Sequence, residues 1–322
     1  MCDNIEKNQK VLDVGCATGY LGAYLKNNFD VDIVGIDYKE YHIEKAKKLK
    51  VYSHLINVDL NSFKSELDNY TSYFDTIILC DVLEHLNDPM AVLRKLSKFL
   101  KSHGKFLIDI PNIAHSSIKY NLLRNNFNYT PMGLLDETHI HFFTPNSIIN
   151  ELSRNQFLVE KIEYIFLGSG LSNEQNVDYA KYPQEIIDYI ENDFASAIYQ
   201  IFIAFKKSNL DLESLIKHNF SFKELNDDLI SKKEKFNPQN INNPLKTIED
   251  RIKLKEEKIS FLKQDINEYK QIISNLNTII ENNSDSINNL NLVISQIKNS
   301  RSWKITKPLR DLTLFFTKLK NR

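Results

Sequence analysis

The chain has 322 residues and a formal net charge of -1, with 26% charged and 42% apolar residues. That balance supplies no global attraction to nucleic acid or to an anionic membrane, and the length leaves room for one full domain plus a further segment. Cys2, Cys16 and Cys80 form no C-x-x-C pair and no zinc pattern, so reduced thiols in a cytoplasmic compartment are expected. The opening MCDNIEKNQK lacks the apolar core of a signal peptide, and no stretch approaches the roughly 18 apolar residues of a membrane span.

The first element is KVLDVGCATGYLG at 10–22. An apolar run from Val11 to Val14 meets Gly15 and Gly19, and Tyr20, Leu21, Ala23, Tyr24 and Leu25 then begin a helical pattern. Strand, tight turn and helix start in this order hold small molecules in α/β folds. A dinucleotide turn requires G-x-G-x-x-G, but Ala17 and Tyr20 occupy its later glycine positions. No Gly-Lys-Ser/Thr phosphate loop is present, and no basic residue lies between Val11 and Leu25. The turn is therefore expected to hold something other than a phosphate.

Further strands are predicted at 32–37, 52–58, 74–80, 104–110, 157–166 and 196–205, after a first strand at 10–15. Helical patterns fall at 19–28, 42–49, 89–101 and 146–154. This alternation predicts a mostly parallel sheet covered on both faces, within a domain spanning 1–206.

The segment 207–244 is polar and rich in Asn and Lys, and reads as a linker with room for one helix. A heptad pattern follows over 245–298. Leu245, Ile252, Ile259, Ile266, Ile273, Ile280, Ile287 and Ile294 take one seam position; Ile248, Leu262, Tyr269, Leu276, Leu290 and Ile297 take the other. Lys255 and Asn283 are the polar exceptions, and such residues fix register at a cost in stability. Isoleucine at a with leucine at d favours two parallel strands, so a homodimer through 245–298 is expected. The alternative, an amphipathic helix packed on its own domain, calls for a wider apolar stripe. The tail, 299–322, is basic and amphipathic, with Trp303 and a helix-ending Pro308.

VLDVGCATGYLG resembles motif I of the class I S-adenosylmethionine-dependent methyltransferases, whose usual form is D-x-G-x-x-x-G. DIVGID, LINVDL, FDTIILCDVLEHLNDP with its Glu84-His85 pair, and HGKFLIDIPN follow in order and resemble that family's later strands, in the type-11/type-23 branch. The resemblance implies a Rossmann-like seven-stranded sheet and S-adenosyl-L-methionine as cofactor. It implies that Gly15 and Gly19 let backbone approach the methionine part, with Asp13 organising the turn and Cys16 and Ala17 also at the cofactor. Asp37 then holds the ribose, with Tyr38 also at the cofactor; Asp59 and Leu60 frame the adenine, and Asp81 and Val82 lie beside the methionine and the transferred methyl. Only nine residues precede Lys10, where most members carry covering helices, so a more exposed cofactor or a lid from a partner chain is expected.

The acceptor side is expected after the fifth strand. DETHIHFFT resembles the D-x-T-H-x-R-F-F-T element of the type-23 branch, with His141 in place of a common arginine. A hydroxyl acceptor needs a base as the methyl transfers, and histidine titrates in the right range. His139 is the first candidate, ahead of His85 and His141; a structural role for His139 is the alternative. Asp136, Glu137, His139 and His141 show no preorganised ligand spacing, so no metal is expected.

SRSWKITKPLR resembles the tail of glycosyltransferases and methyltransferases that assemble bacterial surface glycans such as O-antigen. This implies O-methylation of a sugar, carried by a polymer, a lipid-linked glycan or a nucleotide-sugar. Residues 300–322 could dock on a glycosyltransferase partner or on the inner face of the cell membrane. The other readings are a small-molecule or quinone methyltransferase and a non-catalytic scaffold for glycan-assembly enzymes. Nucleic acid is not expected as acceptor, since no basic cluster lies near the proposed site.

Overall fold

A computed structural model describes residues 4–168, 177–233, 270, 271, 274, 278 and 290–296. The elements run β1 (Lys10–Val14), α1 (Tyr20–Phe29), β2 (Asp32–Asp37), α2 (Glu40–Lys48), β3 (His54–Asn57), β4 (Phe74–Cys80), α3 (Pro89–Leu96) and β5 (Leu100–Pro111). They continue with α4 (Ser116–Leu123), α5 (Pro145–Arg154), β6 (Phe157–Phe166), α6 (Gln184–Glu191), α7 (Phe194–Ala197), β7 (Ile198–Lys207) and α8 (Leu212–Lys233).

The strands form one seven-stranded sheet in the order β3-β2-β1-β4-β5-β7-β6. The pairs β1–β2, β1–β4, β2–β3 and β4–β5 are parallel, while β7 runs antiparallel between β5 and β6. This is the mostly parallel sheet the alternating pattern predicts, in the seven-stranded, Rossmann-like form the resemblance implies. Strand order reverses between β1 and β4, and the carboxyl ends of such a switch point are where ligands enter open α/β sheets.

Because successive strand residues face opposite sides, both faces of the sheet are apolar. Leu12, Val14, Val34, Ile36, Ile77 and Leu79 form one core with Leu93 and Leu96 of α3 and Ile148 and Leu152 of α5. Val11, Ile33, Ile78 and Leu107 form the other with Leu25 of α1. The helices begin where the chain supplies caps. Asp88 accepts a bond from the Ala91 amide with Pro89 in the first turn, and Thr144 and Ser147 make a reciprocal capping box ahead of Pro145.

Strands 32–37, 74–80 and 157–166 stand at their expected bounds. The pattern at 89–101 splits, since α3 ends at Leu96 and β5 already begins at Leu100. The segment 207–244 contains the expected helix, α8, and this helix docks against α5 and β6. Fully buried Asn219 accepts from the Val159 amide at 3.0 Å and donates to Ser153 Oγ and the Phe157 carbonyl at 2.9 Å each. The methyltransferase-like domain therefore continues past Lys206.

The chain divides into units Met1–Ile241 and Asn242–Arg322. In the second, residues 290–296 are helical, and the seam residues Leu290 and Ile294 are exposed. The remaining heptad positions and the 299–322 tail lie outside the described residues. No helix among the described residues is long and apolar enough to cross a membrane.

Candidate active site

The turn after β1 is built on glycine conformations. Gly15 has φ +70° and Gly19 φ +89°, the left-handed region that favours glycine. The amides of Gly15 and Cys16 donate to the Ile36 carbonyl at 2.8 and 3.0 Å, which ties the turn to the end of β2. A Cβ on Gly15 would stand 2.7 Å from Val82 Cγ2. The bare backbone at this position thus meets the loop that follows β4 across the switch point.

Asp13 lies under the turn, buried, and accepts a 2.7 Å bond from the Tyr52 hydroxyl. Burial pushes its pKa up to about 6 against the opposing pull of that hydrogen bond. The Cys16 thiol is buried and pushed well above the usual thiol range by burial and by Asp13, which makes it an unreactive packing group.

A cavity of about 510 Å³ opens beside the turn, a size suited to a small-molecule ligand. Gly15, Ala17, Asp37, Tyr38, Asp59, Leu60, Asp81 and Val82, all expected at the cofactor, line it. Asp13, Cys16 and Gly19 do not; they support the turn from behind. Asp37 accepts from the amides of Ala17 at 3.0 Å and Lys39 at 2.8 Å, and His42 Nδ1 lies 3.1 Å from it. About three of its four acceptor positions are then in use, so gripping two vicinal hydroxyls requires His42 to give way.

The candidate histidines stand in different places. Asp81, with φ +51°, turns the chain out of β4 into a short loop carrying Glu84 and His85. The Glu84 carbonyl accepts the amides of Ile140 and His141 at 2.9 and 3.0 Å, which draws the DETHIHFFT element onto this loop. His85 lines the cavity, together with Thr138. His139 is buried behind it, ring centroids 4.8 Å apart, with Nδ1 donating to the Leu134 carbonyl at 3.1 Å. His141 instead bonds the Asn87 carbonyl and lines a separate groove with Phe143 and Asn155.

Residues 1–162 match the type-23 methyltransferase-domain family, which is half of the 322-residue chain. The chain belongs to this methyltransferase family. Phosphoethanolamine N-methyltransferase 3 of Arabidopsis thaliana is 38% identical over 109 residues, 33% of this chain and 21% of that protein. The ubiquinone biosynthesis O-methyltransferase of Pelagibacter ubique is 26% identical over 159 residues, 49% of this chain and 65% of its own length. The chain spans less than two thirds of these curated relatives. A solved structure of an S-adenosylmethionine-dependent methyltransferase from Archaeoglobus fulgidus is similar at 22% identity and TM-score 0.44, covering 62% of this chain and 86% of that one.

The cofactor implied by this methyltransferase family is S-adenosylmethionine, and the residues present fit it. The cavity carries three carboxylates, Asp37, Asp59 and Asp81, against Lys39 and the His85 imidazole, a lining that suits a ligand with a sulfonium cation and hydroxyls and repels a polyphosphate. Tyr52 is the supporting residue that sequence reasoning missed. Its signal was present: Gly19, Gly22 and Gly35 are each bare where a Cβ would meet its ring, at 3.0 Å or closer.

Proposed function

We propose that this methyltransferase moves a methyl group from S-adenosylmethionine to a hydroxyl of a saccharide used in bacterial surface-glycan assembly. The observation that carries the methyl-transfer part is the acidic cavity at the β1–β4 switch point, walled by Gly15, Asp37, Asp59 and Val82. Bound there, the donor supplies a methyl on a sulfonium that leaves as a neutral thioether. The chain's work is to hold donor and acceptor in line and to keep water away. Asp37 grips the ribose, Asp59 and the Leu60 amide take the adenine, and Ile36, Val58, Val82 and Leu86 supply apolar wall. His85 faces the acceptor, with His139 fixing it from behind.

The saccharide part rests on the SRSWKITKPLR tail and its likeness to glycan-assembly enzymes. In this reading the heptads at 245–298 pair two copies, and the basic tail brings them to a glycosyltransferase or to the inner membrane face where lipid-linked glycans are made. The similarity to a ubiquinone biosynthesis O-methyltransferase over 49% of the chain favours a second reading, a small-molecule or quinone acceptor.

Transfer of radiolabelled methyl from S-adenosylmethionine into fractionated bacterial extract separates these, with Asp37→Ala as control. Label in polymeric or lipid-linked glycan, lost in the variant, supports the saccharide. Label confined to small molecules moves the acceptor to a nucleotide-sugar or quinone. Donor binding without any label favours the scaffold. Light scattering on the full chain tests the dimer, and deleting Ser300–Arg322 should release it from membrane fractions.

A further inference from the structure

Two motifs that the sequence holds more than 50 residues apart meet beside the cavity. Glu84, His85 and His139 each present a ligand atom, and these atoms lie within 4.8 Å of one another. Glu84 Oε1 stands 3.9 Å from His139 Nε2. The Glu84 side chain is fully buried, and neither of its carboxylate oxygens has a hydrogen-bond partner among the described residues. A buried carboxylate in that condition is costly, because burial outweighs what the nearby backbone amide returns. Something must compensate it: a proton, or a cation.

The histidines decide between these. His139 Nδ1 faces the Leu134 carbonyl at 3.1 Å, so it carries the hydrogen and leaves the Nε2 lone pair turned toward Glu84. His85 Nδ1 faces the Thr138 carbonyl at 3.1 Å, so its Nε2 is likewise the free lone pair. The Thr138 hydroxyl, 3.2 Å from that same Nδ1, donates to Asp136 Oδ1 at 2.5 Å and completes the hold on the ring. Metal-ligating histidines are held in this way, with the other ring N–H given to a carbonyl. At 3.9 Å Glu84 Oε1 and His139 Nε2 share no hydrogen bond, so both atoms are open to a common cation.

We propose that Glu84, His85 and His139 bind one divalent transition-metal ion of the zinc class at the edge of the donor cavity. Two imidazoles and one carboxylate form a known catalytic zinc donor set, and three protein ligands leave a coordination position open. Zinc would draw the donor atoms to about 3.3 Å from one another, given bonds of about 2.0 Å in a tetrahedron. Asp81, Asp109 and Asp136 lie close enough to Glu84 to act on it electrostatically. The same acidic field attracts a cation.

The catalytic use of this site, unlike its existence, rests on the methyl-transfer reading. An acceptor hydroxyl at the open position loses its proton to water at lower pH. Its oxygen lone pair then forms the C–O bond as the C–S bond of the sulfonium breaks, yielding ether, neutral thioether and one proton. The cation, rather than the His85 imidazole, makes the hydroxyl acidic.

The test uses the purified full chain stripped with chelator, then titrated with Zn2+ and, for its absorption bands, Co2+. One equivalent is expected to bind, with Co2+ bands of a low-coordinate nitrogen–oxygen site. Glu84→Gln and His139→Gln should each weaken binding at least about 100-fold, beyond the usual loss for an outer-sphere partner. His103→Gln, outside the cluster, should not. If burial makes the Glu84 variant unfold, His85→Asn at the cavity edge carries the same expectation with less disturbance. Absence of stoichiometric binding, or equal binding by all variants, overturns the site. Calorimetric binding of S-adenosylmethionine, run in parallel, distinguishes the two proposals. A chain that binds zinc through these residues but not the donor keeps the metal site and loses the methyl-transfer reading; the converse loses the metal site alone.

Discussion

The Tyr52 hydroxyl reaches across 39 residues of chain to donate a 2.7 Å hydrogen bond to Asp13. Its ring lies where side chains on Gly19, Gly22 and Gly35 would otherwise stand. Tyr52→Phe keeps the packing and removes the donor, leaving a buried carboxylate oxygen unsatisfied at a cost of about 1–3 kcal/mol. Melting temperature should fall by roughly 2–4 °C per kcal/mol, and donor binding should weaken with the turn. An unchanged melting curve would show that Asp13 finds another partner.

Asp13 and His115 pull stability in opposite directions with pH. Asp13 has a folded pKa of about 6, above its unfolded value of 3.8, so it binds more protons when folded and its contribution declines as pH rises through that window. His115 is buried, and burial lowers its pKa to about 4 against the pull of the Leu167 carbonyl. It favours the folded state above pH 6.5, and that contribution is lost as pH falls toward 4. The two slopes offset in the wild type. Asp13→Asn should expose the His115 slope, with the stability difference between wild type and variant changing by up to roughly 3 kcal/mol between pH 4 and 6. Denaturant titrations across that range measure it; parallel curves for both proteins contradict the assignment.

Gly15→Ala sets a Cβ 2.7 Å from Val82 Cγ2 at a residue with φ +70°. The strained backbone costs about 1–3 kcal/mol, and the methyl pushes the loop after β4 away from the cavity. Circular dichroism should show a folded domain while calorimetry shows donor affinity reduced at least tenfold. Wild-type affinity in the variant would remove Gly15 from the donor site.

The sheet was legible because its signals are local. Asp32–Asp37 and Phe74–Cys80 are apolar runs between turn residues, and they fold where they read. Most residues that line the cavity sit at or just after strand ends, where the same local signals place them. What the sequence hid depends on chain brought from afar. Glu84 looked like half of a motif, and its burial follows from the carbonyl bonds to Ile140 and His141. His139 and His141 are two residues apart in one element, yet one is buried behind the cavity and the other faces a different groove. The docking of α8 was equally hidden: its sequence reads as polar linker, yet Leu215 is buried and Asn219, Asn226 and Asp227 all bond to β6.

Asn219 makes that docking testable. Asn219→Ala leaves the Val159 amide and the Phe157 carbonyl without their side-chain partner inside the domain. The loss of buried bonds should cost about 2–4 kcal/mol, and ending the chain after Lys207 should destabilise it further by exposing the surface under Leu215. Chemical denaturation of both forms measures this. Equal stability of the truncated and longer chains would return 207–244 to the status of a linker.

His139 is the residue on which sequence and structure place different weight. Its ring touches His85 and its Nε2 faces Glu84, while the cavity wall is formed by His85 and Thr138. Burial, reinforced by His85, holds its pKa below the usual histidine value despite the Leu134 carbonyl, so the ring is neutral at neutral pH. In the methyl-transfer reading, a neutral, tautomer-fixed imidazole behind His85 serves the acceptor side, since His139 does not line the donor cavity. His139→Ala should therefore leave S-adenosylmethionine affinity within about twofold while turnover falls at least tenfold, the low end for a lost proton-transfer or positioning group. His85→Ala should lose at least as much, and His141→Ala, on the other groove, should lose less. Full turnover in the His139 variant would confine its role to packing the loop, and a loss of donor affinity would show that this loop shapes the cofactor cavity itself.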